Sequence, residues 1–101
     1  MPNFESWNES TVIYNAAELA QSGSSIQREK NLFAFEVTNV GDTTVFFNDK
    51  PLYAGVPGTS IGDSIAEGDP NGKIYKGTLR IRFGTPLGVL PQVEVCQLFY
   101  V

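Results

Sequence analysis

Alternation of large apolar and smaller or polar side chains dominates the sequence from Asn31 onward and predicts short β-strands. In Leu32–Thr38 the apolar side chains Phe33, Phe35 and Val37 share one face, which is the two-residue period of a half-buried strand. Further strand-like runs follow, separated by turn-forming residues: Thr43–Asn48, Leu52–Ala54, Ser60–Ala66, Lys73–Phe83 and Gln92–Val101. About five to seven short strands with frequent turns predict an all-β fold, a small antiparallel β-sandwich of immunoglobulin-like or jelly-roll-like type.

Several runs carry more specific expectations. Asn39–Asp42 is a turn signal that should return the chain into the next strand, and Asn48–Pro51 should turn it again. Lys73–Phe83 is expected to be the longest strand. Gln92–Val101 is apolar on both faces, so it should be central or covered on both sides. In Ser60–Ala66, Ile61 and Ile65 are expected to face inward.

The first thirty residues differ in pattern from the remainder. Thr11–Tyr14 is a short β-type run, and Asn15–Ala20 can form one helical turn with Asn15 as its N-cap. We therefore predict a single domain with two parts, an extended N-terminal arm or edge segment over residues 1–30 and a β-sandwich over residues 31–101. Two alternatives stay open for the first part: an edge strand, or an arm that orders on a partner.

Composition sets limits on function. The chain has 101 residues, 42% of them hydrophobic, and seven Lys and Arg against eleven Asp and Glu give a net charge of −4. No cluster of basic residues points to nucleic acid, and no apolar run is long enough to span a membrane. The amino terminus has no pattern of a secretory signal, so we expect a soluble protein made in a cytosol. The single cysteine, Cys96, excludes an internal disulfide and is expected to be a buried small side chain.

The absence of histidine argues against catalysis. The segment Gly58–Gly62 matches the G-x-S-x-G pattern of hydrolases, but Ser60 would need a histidine to take its proton. We expect a turn there and no catalytic residue. A glycosidase that uses two carboxylates stays possible in principle, although no acidic pair has a spacing that singles it out.

Metal and cofactor sites are not expected either. One cysteine without histidine cannot supply a zinc site, and no phosphate-binding glycine loop is present. An acidic loop could offer oxygen ligands to calcium, but it departs from the EF-hand pattern and contains the rigid Pro70. Its ligands would be Asp63, Glu67, Asp69 and Asn71.

Two surface features have competing interpretations. Lys76, Arg80 and Arg82 should share one face of the Lys73–Phe83 strand, and we favour a solvated face paired with Glu36 or Glu94 over a polyanion site. Four aromatic residues could form a sugar-stacking platform: Trp7, Tyr14, Tyr53 and Tyr75. The phenylalanines are better placed as core: Phe33, Phe35, Phe46, Phe47, Phe83 and Phe99.

A family resemblance adds to this picture. The stretch Phe35–Val45, followed by Leu52 and by Pro57–Ser60, is similar to a pattern of immunoglobulin-like sandwich domains, in which V-x-N-x-G-D ends a strand and T-x-V begins the next. The compact size and the polar N-terminal arm resemble the small virion proteins of tailed bacteriophages, among them auxiliary or decoration proteins of the capsid surface. That resemblance implies a non-enzymatic structural protein of the virion, made in the host cytoplasm.

The leading hypothesis is therefore an auxiliary or decoration protein that binds the capsid surface, with the major capsid protein or other virion subunits as partners. We expect a homo-oligomer, a trimer or another symmetric assembly. The candidate partner-binding residues lie in the N-terminal arm: Phe4, Trp7, Ile13 and Tyr14. The alternative is a carbohydrate-binding β-sandwich module for host or polysaccharide attachment.

Overall fold

The computed structural model describes residues 6–21, 25–56, 61–68 and 73–101. Its elements, in chain order, are β1 (Trp7–Asn15), α1 (Ala16–Gln21), β2 (Leu32–Asn39), β3 (Val45–Phe47), β4 (Lys50–Leu52), β5 (Ser64–Gly68), β6 (Ile81–Phe83) and β7 (Gln92–Tyr100). The strands form a four-stranded sheet in the order β1-β7-β2-β5 and a three-stranded sheet in the order β4-β3-β6. Every strand pair is antiparallel, so the predicted all-β antiparallel sandwich is confirmed.

The core lies between the two sheets and excludes water from one face of each. The ring of Phe35 from β2 meets the ring of Phe47 from β3 at a centroid distance of 5.4 Å, and Tyr75 packs edge-on against Phe35 at 5.0 Å. Helix α1 contributes Leu19, which is 2% exposed. The remaining buried hydrophobic residues of the core are Ile26, Leu32, Val37, Val45, Leu52, Leu79, Ile81, Val93 and Val95.

Strand β7 is central, as its two apolar faces predict. It lies between β1 and β2, and its Val93, Val95 and Gln97 are buried. The amide of Gln97 stays paired, since its Oε1 accepts the N–H of Glu29 at 2.9 Å. The side chains of the opposite face are only half-buried, because no described element forms a second layer over that side.

The chain crosses from one sheet to the other after Asn39, so the expectation that β3 returns alongside β2 is wrong. The two strands belong to different sheets. Asn39 is 0% exposed, and its Nδ2 donates to the carbonyl oxygens of Thr43 (2.8 Å) and Leu52 (2.9 Å). Its Oδ1 accepts the N–H of Gly41 at 3.1 Å. The buried side chain of Asn39 thus connects β2 to the second sheet by hydrogen bonds. The turn propensity of asparagine does not predict this role.

The second predicted turn is confirmed. Asn48 and Asp49 connect β3 to β4 with φ values of 46° and 68°, and Phe47 pairs directly with Lys50. Two consecutive residues at positive φ are typical of a type I′ turn, which asparagine and aspartate tolerate better than most residues.

The expected long strand Lys73–Phe83 is wrong. Only Ile81–Phe83 is strand, preceded by a single bridge between Arg80 and Ser25. Upstream, the backbone bonds elsewhere: Tyr75 donates its N–H to Leu32, and the guanidinium of Arg28 donates to the carbonyl of Gly77 at 2.9 Å. The alternating pattern there reflects burial of Tyr75 and Leu79 against the core and not a continuous ladder.

Two smaller expectations also change. A register shift between Leu32 and Ala34 puts Leu32 in the core, so Phe33 stacks on Tyr100 instead of sharing a face with Phe35. In the run predicted as Ser60–Ala66, the strand is Ser64–Gly68; Ile65 packs on the core as expected, but Ile61 is 71% exposed.

Candidate functional site

The most distinctive surface among the described residues is the open edge of β1, which pairs with none of the other described strands except β7 on its opposite side. This strand is nine residues long and pairs with β7 from Trp7–Tyr100 to Asn15–Gln92 without a register shift. Natural edge strands are usually short, bulged, or protected by proline and charged residues, because an exposed edge invites another chain to pair with it. Strand β1 contains no proline and no glycine, and Glu9 is its single charged residue. Strand β1 therefore lacks most of the features that keep another strand from pairing with an exposed edge.

Alternate residues of β1 direct their backbone groups toward that open edge. The N–H of Val101 donates to the carbonyl of Ser6 at 3.1 Å, in register with the pairs that follow. In an antiparallel ladder the hydrogen-bonded pairs alternate, so the even-numbered residues of β1 bond to β7. The odd-numbered residues present their N–H and C=O groups to the edge: Trp7, Glu9, Thr11 and Ile13.

A capping box ends this edge at Asn15. The side-chain Oδ1 of Asn15 accepts the N–H of Glu18 at 2.9 Å, and the Glu18 carboxylate accepts the N–H of Asn15 at 3.3 Å. The predicted N-cap is confirmed, and helix α1 covers residues 16–21. Because the outward N–H of Asn15 is already used, the stretch available for pairing is Trp7–Ile13.

The structure divides the predicted partner-binding residues into two groups. Trp7 and Ile13 lie on the outer face of β1, 54% and 50% exposed. Tyr14 lies on the inner face, packed against the core. Burial raises the pKa of its hydroxyl, and the charges of Glu18 and Glu29 add to that rise. Phe4 lies outside the described residues.

The outer face of the four-stranded sheet is acidic. Its four strands contain four glutamates, Glu9, Glu36, Glu67 and Glu94, and no lysine or arginine. Cross-strand pairing places Glu9, Glu36 and Glu94 on the outward side around Cys96. In contrast, the charged residues within the strands of the other sheet are Lys50 and Arg82. The charged side chains within the strands are therefore negative in the first sheet and positive in the second.

A shallow groove of about 480 Å³ runs across this acidic face, lined by Ala34, Glu36, Cys96 and Leu98 among others. Burial raises the pKa of the Cys96 thiol, and the nearby carboxylates of Glu9 and Glu36 raise it further, against a hydrogen bond with Thr11 that lowers it. A thiol with a raised pKa carries little thiolate at neutral pH, so its reactivity is low.

Aromatic rings form a row at one end of the same face. Trp7 pairs with Tyr100 across β1 and β7, and the ring of Tyr100 stacks on Phe33 at a centroid distance of 4.2 Å. Phe33 also lines an open groove of about 760 Å³, in which Glu67 and Lys73 supply charged groups. The four aromatic residues predicted as a sugar platform do not come together. Trp7 and Tyr14 lie on opposite faces of β1, Tyr75 packs against the core, and Tyr53 follows β4 in the other sheet.

The expected basic strand face does not form, because Lys76 lies outside β6. Arg82 lies 4.0 Å above the ring of Phe46 and 3.9 Å from the carboxylate of Asp49. The predicted pairing with Glu36 or Glu94 is therefore wrong, since both of these face outward from the other sheet. Both members of the observed pair are exposed, so it contributes little to stability.

The described residues hold no group of three or more histidine, cysteine or carboxylate side chains able to bind a metal ion. Asp63, proposed as a calcium ligand, accepts the N–H of Tyr53 at 3.0 Å. Ser60, Asp69 and Asn71 lie outside the described residues. The one helix that the structure describes is α1, which is far too short to cross a membrane.

Sequence reasoning missed two parts of this surface. The sequence could have predicted that each of these glutamates faces outward, because each alternates with apolar residues in its own strand. It could not predict that they lie close together, because that depends on the strand order. The aromatic row depends on the bulge in β2, which turns Phe33 outward, and no pattern in the sequence marks that bulge.

Comparisons with protein families, with curated proteins and with solved structures found no match to this chain.

Proposed function

We propose that this protein is a non-enzymatic binding subunit that attaches to other protein chains through β1. The observation that carries the proposal is a regular nine-residue edge strand with outward backbone groups and, on its outer face, two exposed apolar side chains, Trp7 and Ile13. Strand addition uses the backbone for affinity and alternate side chains for specificity, and β1 supplies both.

We further propose that the partner is the capsid of a tailed bacteriophage, with this chain as an auxiliary or decoration protein on its surface. Support comes from the small virion proteins that the sequence resembles and from the unprotected edge of β1. A capsid repeats one surface many times, so many modest contacts add to a stable coat without high affinity at each site. The acidic outer face suits a partner surface with lysine or arginine beside its docking strand.

Co-sedimentation with purified phage shells tests this proposal. A variant with Trp7→Ala and Ile13→Asp removes the exposed apolar contacts while leaving the β1–β7 ladder intact. Tyr53→Ala is the matched control, because Tyr53 is 60% exposed and lies beyond β4 in the other sheet. We expect the double variant to lose shell binding and the control to retain it. Equal binding by both variants would contradict the role of β1.

Point substitutions are a better choice than deletion of residues 1–14. If residues 1–14 were a detachable arm, as the sequence suggested, their deletion would leave a folded domain that no longer associates. Because β1 pairs with β7 along its whole length, its removal would expose a new edge on β7 and uncover core beneath Tyr14.

The aromatic row favours one second candidate, a carbohydrate-binding module. Trp7 is exposed at one end of this row, and Phe33, stacked on the buried Tyr100, lines a groove with charged groups, the combination that sugar stacking and hydroxyl recognition require. Trp7 is the single tryptophan, so its fluorescence reports directly on that site. A saturable emission shift with a glycan, lost on Phe33→Ala, would support this candidate, and unchanged emission across a glycan panel would exclude Trp7 from such a role.

A further inference from the structure

The open edge of β1 is self-complementary. Its pairable stretch, Trp7–Ile13, ends at the capping box on one side, and its outward backbone groups belong to Trp7, Glu9, Thr11 and Ile13. In a two-fold antiparallel pair, complete use of this stretch requires that its midpoint, Ser10, lie on the axis. Each outward residue then exchanges both backbone hydrogen bonds with one residue of the other copy.

We infer that two copies of this chain associate edge to edge through β1, with Ser10 on the two-fold axis, so that the four-stranded sheet of one copy continues into that of the other. This inference rests on the proposed function, since it names a second copy as the chain that occupies the edge of β1. The shell then contacts the dimer through its acidic outer face. The register places Trp7 opposite Ile13 of the second copy and Glu9 opposite Thr11 of the second copy.

The side chains select this register over its neighbours. A shift of the axis to Glu9 would set the two Glu9 carboxylates directly opposite each other, which is repulsive in a cross-strand pair. A shift to Thr11 would set Trp7 opposite Asn15, whose N–H already bonds to Glu18. With Ser10 on the axis, two exposed apolar side chains cover each other at both ends of the contact. Thr11 already donates to the Glu9 carboxylate within one chain at 3.2 Å, so the facing pair is chemically compatible.

The charge of the acidic outer face favours association of two copies edge to edge over stacking face to face. Two copies stacked through their four-stranded sheets would bring Glu9, Glu36 and Glu94 against the same carboxylates of the other copy. Edge pairing leaves these faces side by side and exposed to solvent. A two-fold dimer therefore extends one continuous acidic surface, which is available to a third, basic partner.

Light scattering over a range of concentrations, together with cysteine cross-linking, tests this inference on the full chain. In a Cys96→Ala background, Ser10→Cys puts one thiol from each copy at a non-hydrogen-bonded pair, where Cα atoms lie about 4.5 Å apart. That separation falls within the range of about 4.4–6.8 Å that a disulfide spans. Asn8→Cys is the matched control on the same face, since its two copies would lie about 13 Å apart along the strands. We expect a dimer mass and fast oxidation of the Ser10→Cys variant alone.

Thr11→Pro supplies a second test of the same contact. The N–H of Thr11 points away from β7, so proline leaves the internal ladder intact and blocks the outer one. We expect loss of the dimer mass with the circular dichroism spectrum unchanged. If this variant does not fold, the cross-linking comparison alone decides the question.

A chain that stays monomeric at hundreds of micromolar, with equal oxidation rates for the two cysteine variants, overturns the dimer. If that monomer still sediments with phage shells, the proposed function stands and only the self-pairing is wrong. A dimer that binds no shell would support the self-pairing and contradict the proposed binding to the capsid.

Discussion

Replacement of Asn39 by alanine is expected to destabilise the fold strongly, because this side chain connects the two sheets from a fully buried position. It makes three hydrogen bonds with the backbone, to Thr43, Leu52 and Gly41, at 2.8, 2.9 and 3.1 Å. Each buried group left without a partner costs roughly 1 kcal/mol or more, so Asn39→Ala should lower the free energy of unfolding by roughly 3 kcal/mol. For a chain of this size that loss corresponds to a fall in Tm of roughly 15 °C.

Urea unfolding followed by circular dichroism measures this loss. Asn48→Gly is the matched control: Asn48 also donates to one carbonyl, of Thr78, and accepts one N–H, of Arg80, but it is exposed. Glycine keeps the backbone of Asn48 at its positive φ of 46°, so the control should change stability by only about 1 kcal/mol. If Asn39→Ala lowers the free energy of unfolding by less than about 1 kcal/mol, or by no more than the control does, Asn39 does not hold the two sheets together.

Three further predictions follow from single side chains. Desolvation raises the pKa of Asp42, but hydrogen bonds from Thr43 and from the N–H groups of Leu90 and Val89 outweigh it and hold the pKa below its ordinary value of 3.8. The stability that this carboxylate contributes above pH 3.8 should therefore be lost as the pH falls from 3.8 through the lowered pKa. In urea unfolding between pH 2 and 6, the free energy of unfolding of the Asp42→Asn variant should depend less on pH than that of the unchanged protein. An equal pH dependence would contradict this role of Asp42. Cys96, with its raised pKa, should react with iodoacetamide at pH 7.5 more slowly than glutathione, and an equal rate would show a freely ionising thiol. Phe47→Ala should cost about 4 kcal/mol in thermal unfolding, since the ring is 1% exposed; a cost below about 2 kcal/mol would mean that the core collapses around the gap.

Much of the fold could be predicted because local patterns and tertiary burial agree along β7 and along β2 from Phe35 onward. The two apolar faces of Gln92–Val101 correctly indicated a central strand, and Asn15 and Asn48 marked a helix start and a turn by their ordinary preferences. Where burial came from a loop, as at Tyr75 and Leu79, the same alternation gave a strand that does not exist.

The candidate site could be predicted only in part. Trp7 and Ile13 stood out as apolar residues in a polar segment, and the structure exposes both on β1. Which backbone groups remain open depends on the pairing partner of β1 and on the direction of the first bond, from Val101 to Ser6. The pairing of β1 with β7 joins the two ends of the chain, and the alternation of residues within β1 alone cannot predict it.

Amide hydrogen exchange along β1, resolved by NMR at two protein concentrations, tests the central claim most directly. In dilute protein the amides of Asn8, Ser10 and Val12, which bond to β7, should exchange slowly, and those of Glu9 and Thr11 should exchange fast. At high concentration the second pair should become protected as the edges meet. Exchange at Glu9 and Thr11 that stays fast at every concentration, or slow amides at these positions in dilute protein, would contradict an open edge that a second copy completes.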